Sequence, residues 1–536
     1  MATPTSFSLV CMADTDASNS ADEERSIVRR ETIGLLLGPL SFGTVLATMP
    51  LTASPEANAV FACTCWIAIW WVTEAVPIPV TSLLPIPLFP LTGIQSVGET
   101  TAPYADPIIF LLLGGFLLAL AVERSELHRR IALLITTVIG FTPGRIVFGF
   151  MLATAVLSMW ISNTATAMMM VPIGTAVILQ VTSVAAPDIV DDSNIEIDTS
   201  VEDTQDMDVV AESIPETPYG IALMLAIAYG ASIGGAATLI GSPPNAVFAG
   251  IAGSRLGVEI GFLQWMLFAV PGSAVFLFLT WVTLMKLLRP GEELANASSG
   301  SQLAVEKIGT TIREQREALG PMSRAERRVS AVFAAVALGW LLRPFVLEPL
   351  FPAISDEIIA ILGGIALFVV PVDLGRREFL LEWDDVSRLP WGVLILLGAG
   401  FSLASAFQSS ELDLWIADQL TGLVGLSLLA LFALIAAVVV SLTEVNSNTA
   451  TATVFMPIMI GLGATIGVDP LTLMGLTALA ASYAFMLPVA TPPNAIVFGS
   501  GYLTIPQMVS VGVWLNLIGI ALVAVLTYLW FPVIFG

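Results

Sequence analysis

The sequence predicts an all-α polytopic membrane protein, with about eleven transmembrane helices plus two re-entrant hairpins arranged as inverted repeats. Three observations carry that expectation. First, 56% of the residues are hydrophobic and only 12% are charged, where a soluble domain carries roughly 25% charged residues. Second, apolar runs near the roughly 20 residues that span a bilayer recur from end to end. Third, the residues Ser162-Asn163-Thr164-Ala165-Thr166 return as Ser447-Asn448-Thr449-Ala450-Thr451, each copy followed at the same distance by a proline, Pro172 and Pro457. The same offset brings Phe116 onto Phe401, Leu118 onto Leu403, Ala119 onto Ala404, Glu126 onto Glu411 and Leu127 onto Leu412. A further pair, Ser242-Pro243-Pro244-Asn245 and Thr491-Pro492-Pro493-Asn494, follows the two copies. Matches in one register are hard to produce by chance. The chain is duplicated, and its polar centre with it.

Taken in order, the chain opens with a polar, acidic tail that lacks the apolar core of a secretory signal peptide. Arg25, Arg29 and Arg30 precede a first span near 33–49, and a second runs near 59–73, where Glu74 closes it. Pro77, Pro79, Pro85 and Pro87 break a third apolar segment that reaches Leu91. A fourth, near 108–122, ends in Arg124, His128, Arg129 and Arg130, which places the single histidine at a membrane interface. From 146 to 181 an apolar stretch is interrupted by Ser158 and the first Ser-Asn-Thr. It reads either as one span with polar residues at mid-bilayer or as a re-entrant hairpin with a polar tip, because irregular backbone at membrane depth needs protein or a watery cavity around it.

The acidic insert follows, then a span from Tyr219 broken by Gly234-Gly235 and Gly241-Ser242-Pro243-Pro244. A sixth span covers 268–288, ending in Lys286 and Arg289. A polar connection holding Lys307, Arg313, Arg316, Arg324, Arg327 and Arg328 precedes spans near 329–347, 358–370 and 391–407. The second interrupted stretch (426–462), a broken span around Thr491-Pro492-Pro493 and a last span near 511–532 complete the plan.

Charge sets the orientation. The formal net charge is −23, but the excess gathers in the tail, between Asp188 and Glu216, and after Pro290, as solvated loops do. Basic residues follow the first copy of the Phe116 segment, and no Lys, Arg or His occurs after Arg388. By the positive-inside rule the first copy ends in the cytoplasm and the second outside, so the repeats are inverted. With the N-terminus inside, the basic clusters fall inside and the C-terminus outside; only Arg255 and Arg343 lie near the outer face. Cys11, Cys63 and Cys65 make no disulfide framework, and Cys63-x-Cys65 reads as packed or lipid-facing helix rather than metal ligands.

Inverted repeats with broken helices are the architecture of secondary transporters, with the site at the repeat interface. Ser and Thr hydroxyls, Asn carbonyls and freed backbone C=O groups are hard oxygen donors suited to Na⁺. Ser158 lies four residues before Ser162, and Thr443 four before Ser447, so one helical turn adds a hydroxyl to each tip. Two similar cation sites follow from the two copies. The N-termini of the broken helices offer N–H groups and positive dipole ends to an anion. Glu444 is an intramembrane carboxylate, hence a functional candidate or a member of a hydrogen-bond network that supports the tip. Gly461-x-Gly463 has no phosphate-binding context and reads as close packing.

At these residues the chain resembles the divalent anion:sodium symporter family, which includes dicarboxylate and sulfate transporters. The resemblance rests on Trp71-Val72-Thr73-Glu74-Ala75, Leu113-Gly114-Gly115-Phe116, both Ser-Asn-Thr tips, Ile240-Gly241-Ser242-Pro243-Pro244-Asn245 and Pro488-Val489-Ala490-Thr491-Pro492-Pro493-Asn494. It implies a homodimer in which a transport domain slides against a scaffold as an elevator. It implies one sodium site at Ser158, Ser162, Asn163 and the backbone of Gly241, and a second at Thr443, Ser447, Asn448 and the backbone of Ala490. Substrate carboxylates would meet Asn163, Thr164, Ser242, Pro243, Asn448, Thr449, Thr491 and Pro492. The organisation then divides into a cytoplasmic tail (1–29), scaffold helices (30–143), the first hairpin (144–183), an acidic cytoplasmic insert (184–218), transport helices (219–289) and a cytoplasmic linker (290–328). The second half supplies scaffold helices (329–424), the second hairpin (425–467) and transport helices (468–536). The acidic insert is longer than the family pattern.

The expected protein is thus a multi-pass transporter of the cell membrane, not an enzyme. It takes up a divalent oxyanion such as succinate with two or more co-transported sodium ions, and its partners are the small anion, membrane lipid and a second copy of itself, not nucleic acid. Alternatives keep the fold as a dicarboxylate exchanger or a sulfate or citrate transporter, or change it to a Na⁺/H⁺ antiporter or arsenite permease. An exchanger of this family places basic side chains where sodium sits, and none lies between Arg145 and Arg255 or after Arg388. Proton coupling asks for titratable groups at mid-membrane, where Glu444 is the evident candidate in either hairpin. An intramembrane enzyme would need a nucleophile–base pair or clustered metal ligands.

Overall fold

A computed structural model describes residues 31–47, 54–185, 217–290, 309–310, 312–420, 422 and 425–536. The tail, the acidic insert and part of the linker, with Cys11 among them, lie outside the described residues. Among the described residues the regular structure is helical apart from the two short strands β1 (Pro371–Asp373) and β2 (Glu378–Phe379), which form one antiparallel pair. Seven helices among the described residues are long and apolar enough to cross a membrane.

The first half begins with α1 (Glu31–Ala47) and α2 (Pro55–Thr73). The latter is capped by Ser54 and stopped by Glu74 at φ 51°, in the left-handed region. The proline-rich third segment forms two short helices, α3 (Ile78–Thr81) and α4 (Pro85–Leu91), and α5 (Val97–Thr101) follows behind a Ser96–Glu99 capping box. The fourth span is α6 (Pro107–Arg124). The basic residues beyond it are not its frayed end. Glu126 turns the chain at φ 58°, and a separate amphipathic helix, α7 (Leu127–Ile139), carries His128, Arg129 and Arg130. The second half does the same: α15 (Trp391–Ser409) ends in Glu411, also at φ 58°, and α16 (Leu412–Gln419) leaves it. Between the halves lie α12 (Phe262–Leu288), α13 (Arg324–Leu342) and α14 (Asp356–Val369).

Ion pairs establish that the repeats run in opposite directions. Arg124 at the C-terminal end of α6 pairs with Glu382 at 3.0 Å and with Asp385, and Arg388 pairs with Glu123. Residues 382–388 precede α15, so the end of α6 meets the start of its counterpart. At the other end Arg255 Nη1 donates to Gln408 Oε1 at 2.8 Å near the close of α15, and feels the charges of Asp106 and Asp413. Both arginines expected near the outer face are therefore matched by acidic or polar groups. Arg343 is buried against Asp356 (2.9 Å) and reaches Glu259 (2.7 Å), and Asp356 Oδ2 also accepts from Phe262 N at 2.7 Å.

The interrupted stretches are hairpins. Helix α8 (Pro143–Ser158) runs in, and α9 (Asn163–Ala185) runs back. The next helix, α10 (Pro218–Gly235), reports both directions. A Cβ on Gly230 would meet Met151 O at 2.6 Å and one on Gly234 would meet Ala155 O at 2.2 Å, so α8 and α10 rise together. Gly174 faces Ile227, and Gly220 faces Ile178, so α9 descends. Sixteen residues in α8 rise roughly 24 Å, short of the ~30 Å hydrocarbon core. The second hairpin, α17 (Leu428–Thr443) and α18 (Asn448–Ile466), likewise meets the end of α19 (Pro470–Ala481) at its tip. The expected close packing at Gly461 is present: a Cβ there would sit 2.3 Å from Asp413 O.

Candidate functional site: two hairpin tips against two broken helices

Each tip is held against a break in the following helix. The first break leaves α10 at Gly235 and resumes as α11 (Pro243–Ile251); the second leaves α19 at Ala481 and resumes as α20 (Pro492–Gly499). Pairs of prolines start both resumed helices, where their missing N–H costs nothing. The asparagines of the Pro-Pro-Asn pairs fasten the unwound strands. Asn245 Nδ2 points at Gly235 O (3.1 Å), Ala236 O (3.2 Å) and Thr238 O (2.7 Å), and Asn494 Nδ2 at Ala484 O (3.3 Å) and Leu487 O (3.0 Å). These two residues were visible in the sequence only as parts of a break. Thr238, which the sequence did not single out, donates to Met159 O in the first tip and accepts from Gly241 N at 3.1 Å.

The polar centres of the two tips match. Ser158 Oγ lies 2.6 Å from Asn163 Oδ1, and Thr443 Oγ1 lies 2.6 Å from Asn448 Oδ1. That end of the Asn163 amide also lies 3.1 Å from Ala231 O and 3.2 Å from Gly241 O. With nitrogen there the amide donates to both carbonyls; with oxygen there, it accepts from Ser158 but faces two carbonyls that cannot donate to it, a repulsion that a shared cation would relieve. In the second copy Thr443 Oγ1 has one proton for two acceptors, Asn448 Oδ1 and Ala481 O at 3.0 Å. The second tip is thus short of protons for its acceptors, and the first is so when the Asn163 oxygen is the end turned inward. Ala231 and Ala481 were not expected, since a backbone carbonyl leaves no trace in the sequence.

The other expected residues fall around these centres. Ser162 Oγ accepts from Ala165 N at 3.3 Å as a helix cap, while Ser447 makes no such cap and its N–H goes to Asn446 Oδ1 at 2.8 Å. Ala490 is buried in the turn Pro488–Ala490, its N–H on Leu487 O at 3.2 Å. Thr164 is half-buried and Thr449 buried, one position into α9 and α18. Pro243 and Pro492 open α11 and α20, and Thr491 Oγ1 caps Asn494 N at 3.3 Å. Cross-packing gathers the two sets: α11 of the first repeat lies on α18 of the second, and α20 lies on α9.

Glu444 belongs to the supporting network. Oε1 accepts from Phe485 N (2.7 Å), Met486 N (3.0 Å) and Asn516 Nδ2 (2.6 Å), and Oε2 from Met486 N (3.1 Å) and Leu487 N (3.1 Å). A carboxylate is an acceptor-only group, and every partner here is a donor. The strand is pinned from its far side by Tyr229, whose hydroxyl donates to Phe485 O at 2.9 Å. A cavity of about 490 Å³ lined in part by Asp106, Ser254, Glu259 and Glu357 lies at the far end of α11, away from the tips.

Comparison with known proteins places this arrangement. Residues 32–536 match the family model described as the sodium:sulfate symporter transmembrane region. A sodium-dependent dicarboxylate transporter, SdcS, of Staphylococcus saprophyticus is 39% identical over 518 residues, covering 96% of this chain and 94% of that protein. The SdcS of Staphylococcus aureus strain bovine RF122 is 40% identical over 510 residues, covering 94% and 92%. Among solved structures, the YdaH transporter of Alcanivorax borkumensis is similar with a TM-score of 0.54 at 14% identity, over 88% of this chain and 98% of that one. At that identity the likeness speaks for the fold alone.

Proposed function

The chain belongs to the sodium:sulfate symporter family, and from that premise we propose that it takes up a divalent oxyanion, a C4-dicarboxylate such as succinate, coupled to two or more sodium ions. It is a multi-pass protein of the cell membrane and not an enzyme. The observation that carries the reading is the doubled tip: a hydroxyl 2.6 Å from an asparagine side-chain amide in each copy, beside a carbonyl of a broken helix. Acceptor-rich, proton-poor clusters suit hard cations. Sodium at Ser158, Ser162, Asn163 and Gly241, and at Thr443, Ser447, Asn448 and Ala490, would supply the positive charge that the tips' own side chains lack. The dicarboxylate then meets Asn163, Thr164, Ser242, Pro243, Asn448, Thr449, Thr491 and Pro492, with the N-termini of α11 and α20 facing its carboxylates. The substrate class follows the names of the two staphylococcal relatives.

The hairpins with the helices of 219–289 and 468–536 form the transport part, and the spans of 30–143 and 329–424 the scaffold of a homodimer, the first sliding on the second. Close contact of α8 with α10 at Gly230 and Gly234 supports treating hairpin and broken helix as one body. The test is uptake of labelled succinate, citrate and sulfate into proteoliposomes with and without a sodium gradient. Sodium-dependent succinate uptake with a Hill slope above one is expected, and Asn163→Ala and Asn448→Ala should each raise the sodium requirement. Uptake that ignores sodium but needs dicarboxylate on the opposite side would show an exchanger and overturn the coupling.

A further inference from the structure

We propose that Ser482 is a positioning residue that couples the two cation sites, an inference that rests on the reading of the tips given above. Ser242 Oγ and Ser482 Oγ lie 3.3 Å apart, and both residues are 2% exposed. They join the two breaks directly. Ser242 follows Gly241, whose carbonyl is 3.2 Å from the Asn163 amide in the first centre. Ser482 follows Ala481, whose carbonyl accepts from Thr443 in the second. One residue on each side separates this hydrogen bond from a carbonyl that faces a cation centre.

The direction of the bond is fixed by proton count. Ser482 Oγ lies 3.2 Å from Ala478 O, a carbonyl one turn back that can only accept, so its single proton goes there. Ser242 is then the donor. The repeats show that this use of Ser242 departs from its counterpart. Thr491, in the same place in the second break, spends its hydroxyl capping Asn494 N at 3.3 Å, whereas Ser242 makes no side-chain cap on α11. Ser232 stands beside Ala231 as Ser482 stands beside Ala481, yet its buried hydroxyl has no partner. The bridge exists once, between the breaks, and is not repeated by symmetry.

The physical consequence is cooperativity. Sodium drawing Gly241 O toward the first centre shifts Ser242 with it, and the bond passes that shift to Ser482 and Ala481 O. A single neutral hydrogen bond sets the coupling between the sites at roughly fivefold.

The experiment uses the full-length protein in detergent, titrated with sodium chloride without substrate at constant ionic strength, and followed by tryptophan fluorescence, a signal that saturates with occupancy and to which Trp160, two residues before Ser162, contributes. The unaltered protein should show a Hill slope above one. Ser482→Ala and Ser242→Ala should each bring the slope to one while both sites still fill. The double variant should be no worse than either single one, since both remove the same bond. Ser232→Ala, which breaks no bond, should keep the original slope. A Ser482→Ala slope equal to that of the unaltered protein, or effects of the two serines that simply add, would overturn the proposal. Should Ser482→Ala not fold, Ser242→Ala against Ser232→Ala makes the same comparison. Asn163→Ala and Asn448→Ala separate the two readings. If they leave the titration unchanged, the cation sites are misplaced; if they shift it and the serines do not, only the coupling fails.

Discussion

Gly234 and Gly235 are neighbours in the first break, and replacing each by alanine should damage different things. A Cβ on Gly235 would lie 2.1 Å from Asn163 Oδ1 and 2.8 Å from both Cγ and Nδ2. Ordinary contact begins near 3.4 Å, so the amide must retreat by about 1.3 Å. The atom it meets is the end of a flexible side chain, so the fold should survive, but that end faces Ser158, Ala231 and Gly241. Overpacking of this kind costs about 1–3 kcal/mol, or roughly 5- to 150-fold in the affinity of one site. When two sites fill cooperatively the half-saturating concentration follows the geometric mean of the two constants. Uptake should therefore need about 2- to 12-fold more sodium in Gly235→Ala, with an unfolding midpoint in sodium-free buffer near that of the unaltered protein. In Gly234→Ala the new atom meets backbone, Ala155 O at 2.2 Å, and helix α8 itself must move. Loss of folded protein is expected there rather than a sodium shift. Gly253→Ala, with nothing within 4 Å, should be silent in both assays. Normal sodium dependence in Gly235→Ala, or identical behaviour of the two neighbours, would refute the placement of Asn163 against the break.

Three other outcomes are expected. Glu444→Gln turns an NH₂ toward backbone N–H groups of the second break, and losing about two charge-assisted bonds at roughly 1.5–3 kcal/mol each should lower the unfolding midpoint markedly; an unchanged melting curve would show that the carboxylate does not hold the strand. Arg343→Gln strands Asp356, which is 4% exposed, and breaking such a buried pair costs about 3–5 kcal/mol. Adding Asp356→Asn should restore most of that loss, whereas Glu259, 69% exposed at its side chain, should matter little. In a background free of native cysteines, an impermeant thiol reagent outside intact cells should label a cysteine at Gly536 and spare one at Ser200; the reverse pattern would invert the topology.

How much of this was legible depends on whether a feature is written in residue types or in distances across the chain. The duplicated tips, the broken helices and the opposed directions of the repeats are local patterns of apolar runs, prolines and basic residues, and they stand where the sequence put them. The arms α7 and α16 escaped because thirteen and eight residues are too short for a span. Their only trace was the match of Glu126 to Glu411, which the structure shows as two identical left-handed turns. Glu444 was ambiguous, since a lone carboxylate in an apolar run looks the same whether it binds a cargo or caps a strand. Its donors lie 41 to 72 residues downstream. The Ser242–Ser482 contact spans 240 residues, and Ala231 and Ala481 act through backbone atoms common to all residues. Arg255 and Arg343 resisted the charge rule until their partners were seen.

The cage around Glu444 has an electrical side. Its partners are N–H donors, as a carboxylate's acceptor-only oxygens require, and none is a cation, so the anionic group beside the second tip has no counter-charge among these contacts. In the sliding motion proposed above that charge crosses part of the membrane field with the strand. Two sodium ions and a dianion cancel, so the loaded and empty forms would carry the same fixed charge and the potential would do no net work through it over a full cycle. It would still decide where the empty protein waits. A full crossing at 100 mV is worth about 2.3 kcal/mol, roughly fiftyfold in population, and a partial crossing proportionally less on the energy scale. With the cell interior negative, that charge would favour the outward position of the vacant site, where the uptake proposed above begins.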